Sequence, residues 1–207
     1  MKLPSLTAGE DLPAPPRQAR SAQRRQAILD AARRLFAEKG YEGTAVEDIT
    51  AAAGAAAGAF YTYFRSKRQL LIILMDELLQ RLGVVDLKPQ GNDLRSFLLD
   101  VFRTDMAYFG AIRAWQEAAL ADPELGKMQQ KIEAWTGARI LRVFEALQQP
   151  PDARPDRDLR AFARMMDRHF WSLLARGSRM APRDFRREVE LAAEVIERYL
   201  FRDTARR

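Results

Sequence analysis

The fold is decided by residues 44 to 67, which read TAVEDITAAAGAAAGAFYTYFRSK. Thr44 and Glu47 are spaced as a capping box, in which the hydroxyl and the carboxylate each satisfy an orphan amide at a helix start. Gly54 lies where a tight turn must end this short helix, and the alanines around it are good helix formers. The bulky aromatic run that follows predicts a second short helix over residues 57 to 64. Two short helices separated by a glycine-containing turn are the layout of a helix-turn-helix.

A longer helix is predicted on each side of this unit. Before it, apolar residues recur at three- and four-residue spacing from about residue 22 to residue 39, and Gly40 follows as a left-handed stop. After it, Ser66 and Gln69 form a second capping box, which opens a helix that carries leucines as far as Leu82. The helix-turn-helix domain is therefore expected to span residues 21 to 67.

The remainder of the chain is also predicted to be helical. Apolar stripes recur throughout, the first from Leu94 to Phe109, and no alternating stretch is long enough to indicate a strand. We expect an all-α fold of about nine helices, with a three-helix helix-turn-helix domain followed by a larger helical domain over residues 68 to 207. Residues 1 to 20 are rich in proline and are predicted to be a disordered tail.

The composition excludes several classes of protein. Lys and Arg outnumber Asp and Glu by 34 to 28, and the net charge of +6 favours polyanionic partners, nucleic acid first. The chain has no cysteine and one histidine, which argues against disulfides, zinc sites and a catalytic triad. We therefore expect no metal, no cofactor and no enzymatic activity. No aliphatic run approaches the ~20 residues of a membrane span and no apolar leader stands at the start, so a cytoplasmic location without membrane contact is expected.

The positive charge is not concentrated near the helix-turn-helix. Residues 1 to 80 carry 11 basic and 9 acidic side chains, which leaves only +2. Between residues 17 and 34, however, six arginines stand against Asp30 alone. This segment is either a solvated helix face or an arm that contacts phosphates.

The segment ILDAARRLFAEKGYEGTAVEDITAAAGAAAGAFYTYFRSKRQLL, residues 28 to 71, resembles the amino-terminal domain of the tetracycline-repressor (TetR) family of bacterial regulators. The matching landmarks are AA..LF, the glycine stop, T.V.DI, A-G and G.FY.YF.SK..L. The resemblance implies that the helix-turn-helix binds a double-stranded DNA operator and that the chain is a homodimer. It further implies that the larger domain binds a small-molecule effector, here expected to be apolar or aromatic, and makes the dimer.

The resemblance also assigns roles to individual residues. Tyr61, Thr62 and Tyr63 resemble the family's groove- and backbone-facing recognition residues. Thr44 and Lys67 resemble its phosphate-contacting residues at the starts of the second and fourth helices, where a helix amino end favours an anion. Tyr63 is at least as well explained as a core aromatic. For Tyr61 the DNA contact is favoured, because the flanking phenylalanines already supply the buried side.

One departure from the family pattern affects DNA reading. Members commonly have a turn like GVSKG, whereas this chain has GAAAG over residues 54 to 58. The usual capping serine is Ala56, a change that typically costs about 1 kcal/mol of helix stability. Ala55, Ala57 and Ala59 belong to the predicted DNA-facing set, although alanine can only touch a thymine methyl. Either the operator is read largely by shape and phosphate contacts, or DNA binding is weak.

Aromatic and methionine residues are frequent on the core-facing stripes of the second half. Each one alone fits core packing, but as a set they could line the adaptable cavity that a ligand-binding regulator needs. His169 is expected to be a hydrogen-bonding group, since no second histidine exists to help it hold a metal. The predicted pocket consists of Phe102, Met106, Phe109, Trp115, Met128, Trp135, Phe162, Met166, His169 and Phe170.

The last predicted helix is apolar on opposite sides. Phe185, Val189 and Ile196 follow one stripe, whereas Leu191 and Val195 point away from it. A helix buried on both sides suggests a subunit interface. The resemblance implies that this helix and its predecessor pack against their twins as a four-helix dimer interface.

The residues thus favour a DNA-binding transcriptional regulator, foremost a ligand-released repressor that acts as a homodimer on a palindromic operator. The alternative, motivated by the GAAAG turn, is a helical small-molecule-binding protein that has lost sequence-specific DNA binding. A third class, an all-α enzyme, has little support, because no nucleophile–base pair or metal-ligand spacing stands out.

Overall fold

The structure, a computed structural model, describes residues 2–14, 16–84, 94–148, 153–177 and 179–202. Within these ranges the chain forms nine α-helices, one 3-10 turn and no strand, which confirms the all-α prediction. None of the helices described there is long and apolar enough to cross a bilayer. In chain order the elements are α1 (Ala19–Lys39), α2 (Val46–Ala52), α3 (Ala57–Tyr63), α4 (Lys67–Val84), α5 (Leu94–Asp105), the 3-10 turn (Met106–Tyr108), α6 (Phe109–Ala121), α7 (Pro123–Leu147), α8 (Leu159–Gly177) and α9 (Pro182–Leu200).

The predicted helix-turn-helix is present as α2 and α3. Gly54 in the turn between them has a φ of +64°, a left-handed conformation that glycine adopts without strain. The turn is closed by the amide of Ala55, which donates to the carbonyl of Thr50 at 2.9 Å. Ile49 of α2 and Phe60 of α3 are fully buried, and α2 packs against both α1 and α3. The two short helices are therefore held by a shared apolar core.

Thr44 does not cap α2, so this capping-box prediction is wrong. Helix α2 begins at Val46 with Ala45 as its N-cap and has no side-chain cap hydrogen bond. The Thr44 hydroxyl instead donates to the carbonyl of Gly40 at 2.7 Å, and the residue is fully buried. Gly40 ends α1 with a φ of +78°, as predicted. The chain reversal at Gly40 leaves a carbonyl that the nearby hydroxyl satisfies, and this competes with the cap.

The second capping box is present at the start of α4, with its reciprocal bond displaced by one residue, from the amide of Ser66 to that of Arg65. The amide of Gln69 donates to the hydroxyl oxygen of Ser66 at 3.1 Å. In return, the side-chain oxygen of Gln69 accepts from the amide of Arg65 at 2.9 Å. This reciprocal pair fixes the direction in which α4 leaves the helix-turn-helix.

Residues 2–14 pack along α4, whereas the composition predicts a disordered tail. Leu6 is 2% exposed, and its amide donates to Asp76 Oδ1 at 2.7 Å. The side-chain amide of Gln69 donates to the carbonyl of Asp11 at 3.0 Å. A proline-rich segment cannot form a core of its own, but α4 supplies both an apolar surface and polar partners. Amino-acid composition alone does not show that α4 offers these contacts to the segment.

The stripe from Leu94 to Phe109 is not one continuous helix, because the 3-10 turn (Met106–Tyr108) separates α5 from α6. Tyr108 is 1% exposed, and the guanidinium carbons of Arg33 and Arg81 lie 4.8 and 5.4 Å from the centroid of its ring. Cation–π contacts of this kind contribute about 0.5–2 kcal/mol each. The break in the helix places the ring between α1 and α4, which helical periodicity does not indicate.

Helix α6 packs against α1, α4, α7 and α8. Its Trp115 is fully buried, and the indole N–H donates to the side-chain oxygen of Gln129 at 2.7 Å. Gly110 lies directly against the backbone of α1. A Cβ at this position would stand 2.7 Å from the amide nitrogen of Ala37 and would collide with the carbonyl oxygen of Arg33. The two helices approach this closely because residue 110 has no side chain.

Side chains of α6 also satisfy backbone groups at the end of α1. Arg113 donates to the carbonyl of Ala37 at 2.7 Å, one of the carbonyls without a helical partner in the last turn. Glu117 accepts a hydrogen bond from the amide of Tyr41 at 2.7 Å. Arg113 and Glu117 are themselves paired at 3.0 Å. The first helix is thus joined to the larger helical domain by both backbone contact and hydrogen bonds.

We expect Gly110→Ala to lower the free energy of unfolding by about 1–3 kcal/mol, because the added methyl group must push α1 away from α6. Gly137→Ala in α7 is the matched control, since a Cβ there meets no atom within 4 Å. The control is expected to be neutral or to stabilise the fold by up to about 1 kcal/mol. Urea unfolding followed by circular dichroism measures both. Equal effects of the two substitutions would contradict the close α1–α6 approach.

Candidate nucleic-acid interface and effector cavity

The solvent face of α3 presents few chemical groups. Tyr61 is 57% exposed, and Thr62 and Ala57 are also exposed. The tyrosine hydroxyl and the threonine hydroxyl are the hydrogen-bonding side-chain groups of this face. Of the predicted DNA-facing residues, these are the ones whose side chains the structure leaves free to approach a duplex.

Tyr63 is on the opposite side of α3 and is a core aromatic. It is 9% exposed, and its hydroxyl lies 3.0 Å from the hydroxyl of Ser21 in α1. This contact places the first turn of α1 beside the carboxyl end of α3. Of the two interpretations that the sequence left open for Tyr63, the structure favours core packing.

Exposed arginines lie at the start of α1 and directly after α3. Arg17, Arg20 and Arg24 lie just before and in the first two turns of α1, and none has an ion pair with another described residue. Arg65, directly after α3, is also exposed and lies 3.4 Å from Asp11. The sequence left this segment open between a solvated face and a phosphate-contacting arm, and its position beside α3 suits phosphate contact.

Lys67 and Thr44 are engaged inside the domain. The Lys67 ammonium donates to the carbonyls of Tyr41 at 2.7 Å and Thr44 at 2.9 Å, and it lies 4.3 Å from the centroid of the Tyr41 ring. The Thr44 hydroxyl is buried and bonded to Gly40. In this arrangement the lysine fixes the loop between α1 and α2. Its predicted phosphate contact stays a prediction, and the buried Thr44 hydroxyl is not available for one.

The alanine-rich turn is built as the sequence predicts. Ala56 is the N-cap of α3 and supplies no side-chain hydrogen bond. Ala55 and Ala59 are partly covered, whereas Ala57 is exposed. These positions offer methyl groups only, so hydrogen-bonded base reading depends on other residues.

A cavity of about 120 Å³ lies between α4, α5, α6, α7, α8 and α9. Leucine, valine, isoleucine and aromatic side chains form most of its wall. Among the described residues, the polar members of the wall are Thr136, Arg139 and Asp167. An apolar cavity with a few convergent polar groups is the usual form of a small-molecule site.

Three of the ten predicted pocket residues line this cavity: Phe102, Trp135 and Phe170. Helical periodicity identifies inward-facing residues, but the inward face divides between close-packed core and cavity. The packing of the six helices decides whether an inward-facing residue lies in the close-packed core or lines the cavity. The other seven are Trp115, Phe109 and Met166, which are buried in the core; Phe162, which stacks on Tyr199; Met128 and His169, which are partly exposed; and Met106, which is exposed.

Asp167 is the polar residue that the sequence reasoning missed. It is 3% exposed, and burial raises the pKa of its carboxyl group to about 7, with a further increase from nearby Glu133. Hydrogen bonds from Thr136 and Trp171 act in the opposite direction on that pKa. The sequence does contain one indication of this residue, because an acidic side chain stands four positions before Trp171 on the apolar stripe of α8.

Arg139 marks another part of the cavity wall. Its guanidinium carbon lies 4.7 Å from the centroid of the Trp135 ring, and the group donates to the carbonyl of Gly83 at 3.5 Å. Burial lowers the pKa of Arg139, and the neighbouring charge of Arg142 adds to this. Within the described residues, no three His, Cys, Asp or Glu side chains come close enough to share a metal ion.

A strip of exposed apolar side chains runs along α8 and α9. Met165, Leu191 and Val195 are 46, 56 and 40% exposed, and a shallow groove passes between Met165 and Val195. The opposite side of α9 is buried through Val189 and Ile196. The predicted two-sided apolar character of the last helix is therefore present.

Proteins of similar sequence are regulators of transcription. Residues 28–73 match the sequence profile of "Bacterial regulatory proteins, tetR family". The A-factor receptor protein of Streptomyces griseus is 27% identical over 209 residues, a match that covers 88% of this chain and 75% of the relative. The transcriptional repressor AcnR of Corynebacterium diphtheriae is 41% identical over 103 residues, which cover 42% of this chain and 54% of AcnR. The chain thus matches about half the length of AcnR.

Solved structures extend the similarity to the larger domain. The complex of SmeT with triclosan has 25% sequence identity and a TM-score of 0.62, and the match covers 87% of this chain and 93% of SmeT. The part of the chain that fits the family profile is also the part that folds as the helix-turn-helix and its flanking helices. Residues 28–73 therefore form a DNA-binding domain of the tetR family of bacterial regulatory proteins, and the chain is a DNA-binding transcriptional regulator.

Proposed function

We propose that the chain is a repressor that binds a palindromic operator as a homodimer and leaves it when a small molecule fills the cavity. The observation that carries the proposal is the exposed pair Tyr61 and Thr62 on a short helix whose other side is fixed in the core. A rigid helix with an open polar face suits the major groove of DNA. Because the proposed partner is genomic DNA, we expect the protein to act in the cytoplasm.

DNA reading in this proposal is divided between two groups of residues. Tyr61 and Thr62 contact base edges or nearby backbone, and Ala57 is limited to a thymine methyl. Arg17, Arg20 and Arg24 contact phosphates, which position the protein but carry no sequence information. Few base-reading groups and several free arginines predict an affinity that depends strongly on salt.

The dimer is proposed to form through α8 and α9. The exposed strip of Met165, Leu191 and Val195 would meet its own copy across a twofold axis, and its burial would remove apolar surface from water. Two copies of α3 would then meet two half-sites one helical turn apart, about 34–36 Å, or a multiple of this distance.

The cavity is proposed to be the effector site. SmeT is a relative in fold with triclosan bound, and the A-factor receptor is named for a receptor function. Ile112 of the cavity wall is followed in α6 by Arg113, which bonds to the end of α1. An effector that binds better to an arrangement with a different spacing of the two α3 helices would release the operator.

Selection of bound duplexes from a random pool tests the proposal. We expect enrichment of an inverted repeat with a fixed half-site spacing. Binding without sequence preference but with a steep salt dependence would instead favour the alternative, a ligand-binding protein that has lost specific DNA recognition.

Tyr61→Ala is expected to weaken operator binding by about 1–3 kcal/mol, a range typical of lost base contacts. The control is Tyr63→Phe, which removes a hydroxyl that faces Ser21 rather than solvent. This control is expected to cost about 1 kcal/mol of stability and to leave sequence preference unchanged. Band-shift titration against the selected site measures both. An unchanged affinity in Tyr61→Ala would remove this residue from the interface.

The double substitution Leu191→Glu and Val195→Glu is expected to produce monomers, because four charges would meet at the proposed twofold interface. Leu120→Glu is the control: Leu120 is 92% exposed on α6, outside the strip. Sedimentation equilibrium measures the mass and circular dichroism checks the fold. A folded double variant that stays dimeric would place the interface elsewhere.

A further inference from the structure

The cavity is apolar on all but one side. Its lining residues from α4, α5, α6 and α9 are leucine, isoleucine, valine and phenylalanine. The described lining residues with charge, Arg139 and Asp167, come from α7 and α8. A volume of about 120 Å³ is close to the ~150 Å³ of an apolar cavity that holds a benzene molecule. The space therefore suits one ring or a short branched chain with little room for further groups.

The carboxylate of Asp167 has more acceptor capacity than its neighbours fill. The neighbouring donors that lower its pKa are the Thr136 hydroxyl and the Trp171 indole. Both are shared: the Thr136 hydroxyl also donates to the carbonyl of Ile132 at 3.0 Å, and the indole N–H lies 3.4 Å from the Thr136 oxygen. A carboxylate can accept about four hydrogen bonds. A donor from a ligand in the cavity would find free lone pairs on a group that is otherwise buried.

The surrounding charges favour a positive ligand group at this point. Glu133 on α7 adds a negative charge, and its effect on Asp167 exceeds the opposing effect of Arg168 on α8. Arg168 and Arg164 are exposed, so water screens them. Arg139 is directed to the Trp135 ring and the carbonyl of Gly83. A cation beside Asp167 would thus pair with that carboxylate, with Glu133 outside the cavity wall as a second negative charge, and would lie near aromatic faces.

We propose that the cavity binds a compact apolar molecule with one protonated amine, whose ammonium group pairs with Asp167 while its ring or branched chain fills the space beside Trp135 and Phe170. This inference rests on the proposed function in one respect only, which is that such an amine would be the effector. Binding itself requires no DNA. The two ideas can therefore fail separately.

A matched series of probes tests the ligand class: 2-phenylethylamine, 2-phenylethanol and phenylacetate. Binding is followed by tryptophan fluorescence, since Trp135 and Trp171 line the cavity, and by calorimetry, both at pH 8 without DNA. We expect the amine to bind at least tenfold more tightly than the alcohol, and phenylacetate to bind most weakly. Equal binding of amine and alcohol, or no binding of any probe, would overturn the proposal.

Variants identify the group responsible. Asp167→Asn is expected to remove the preference for the amine while it leaves the affinity for the alcohol unchanged. Asp167→Glu keeps the carboxylate and is expected to retain the preference, and Asp156→Asn in the exposed loop before α8 is the control for net charge. Circular dichroism checks the fold of each variant. If phenylacetate binds best and Arg139→Gln abolishes its binding, the ligand is an acid and the proposal is wrong.

The pH dependence gives an independent readout. Because the pKa of Asp167 is about 7, its ionised fraction rises about tenfold between pH 6 and pH 8, while the amine stays protonated. Amine affinity should rise by this factor and alcohol affinity should stay constant. Since the folded-state pKa lies above the ordinary value, the apo protein should lose stability as pH rises from about 4 to 7. Asp167→Asn should remove that loss, and a flat amine profile in the wild type would contradict the pairing.

If operator selection fails but the amine series behaves as expected, the binding inference stands and the repressor proposal falls. If the selection succeeds and no amine binds, the reverse holds. The last arm adds the amine to the operator complex. If the amine releases the wild-type protein from the operator but does not release Asp167→Asn, the bound amine is the effector.

Discussion

The end of α1 is completed by residues of α6, and this contact unites the DNA-reading half of the molecule with the half that contains the cavity. Gly110 allows the two backbones to touch, and Arg113 and Glu117 satisfy backbone groups that α1 and its loop leave open. A buried carbonyl or amide without a partner costs about 1–3 kcal/mol. A movement of α6 relative to α1 would therefore break these contacts or carry α1 with it.

The same helices that hold α1 also form the cavity wall. Ile112 of α6 lines the cavity and is followed in the chain by Arg113. Leu78 of α4 also lines the cavity, and the first turn of the same helix contains Arg68. Arg68 is paired at 2.6 Å with Asp122 at the start of α7. A ligand can bias this assembly only by the difference in its affinity for two arrangements, and a wall built from the connecting helices makes such a difference attainable.

Polar groups are sparse on both candidate sites. The solvent face of α3 carries two hydroxyls among alanines, and the cavity carries one carboxylate whose burial disfavours its charged form. A buried acid that lowers stability near neutral pH has no packing purpose of its own, and such groups are typical of binding sites. An apolar side chain of similar size at residue 167 would fill the same space without that cost.

Local patterns in the sequence determined the helical class of the fold, the glycine turns at residues 40 and 54, the cap at Ser66 and the exposed side of α3. Each of these depends on neighbours within a few residues, so spacing and residue type suffice. Tertiary structure alone decided that Thr44 turns inward, that Leu6 packs on α4, and that Asp167 faces a cavity rather than solvent. These outcomes depend on which surface a distant helix presents, and the periodicity of one helix carries no information about its partner.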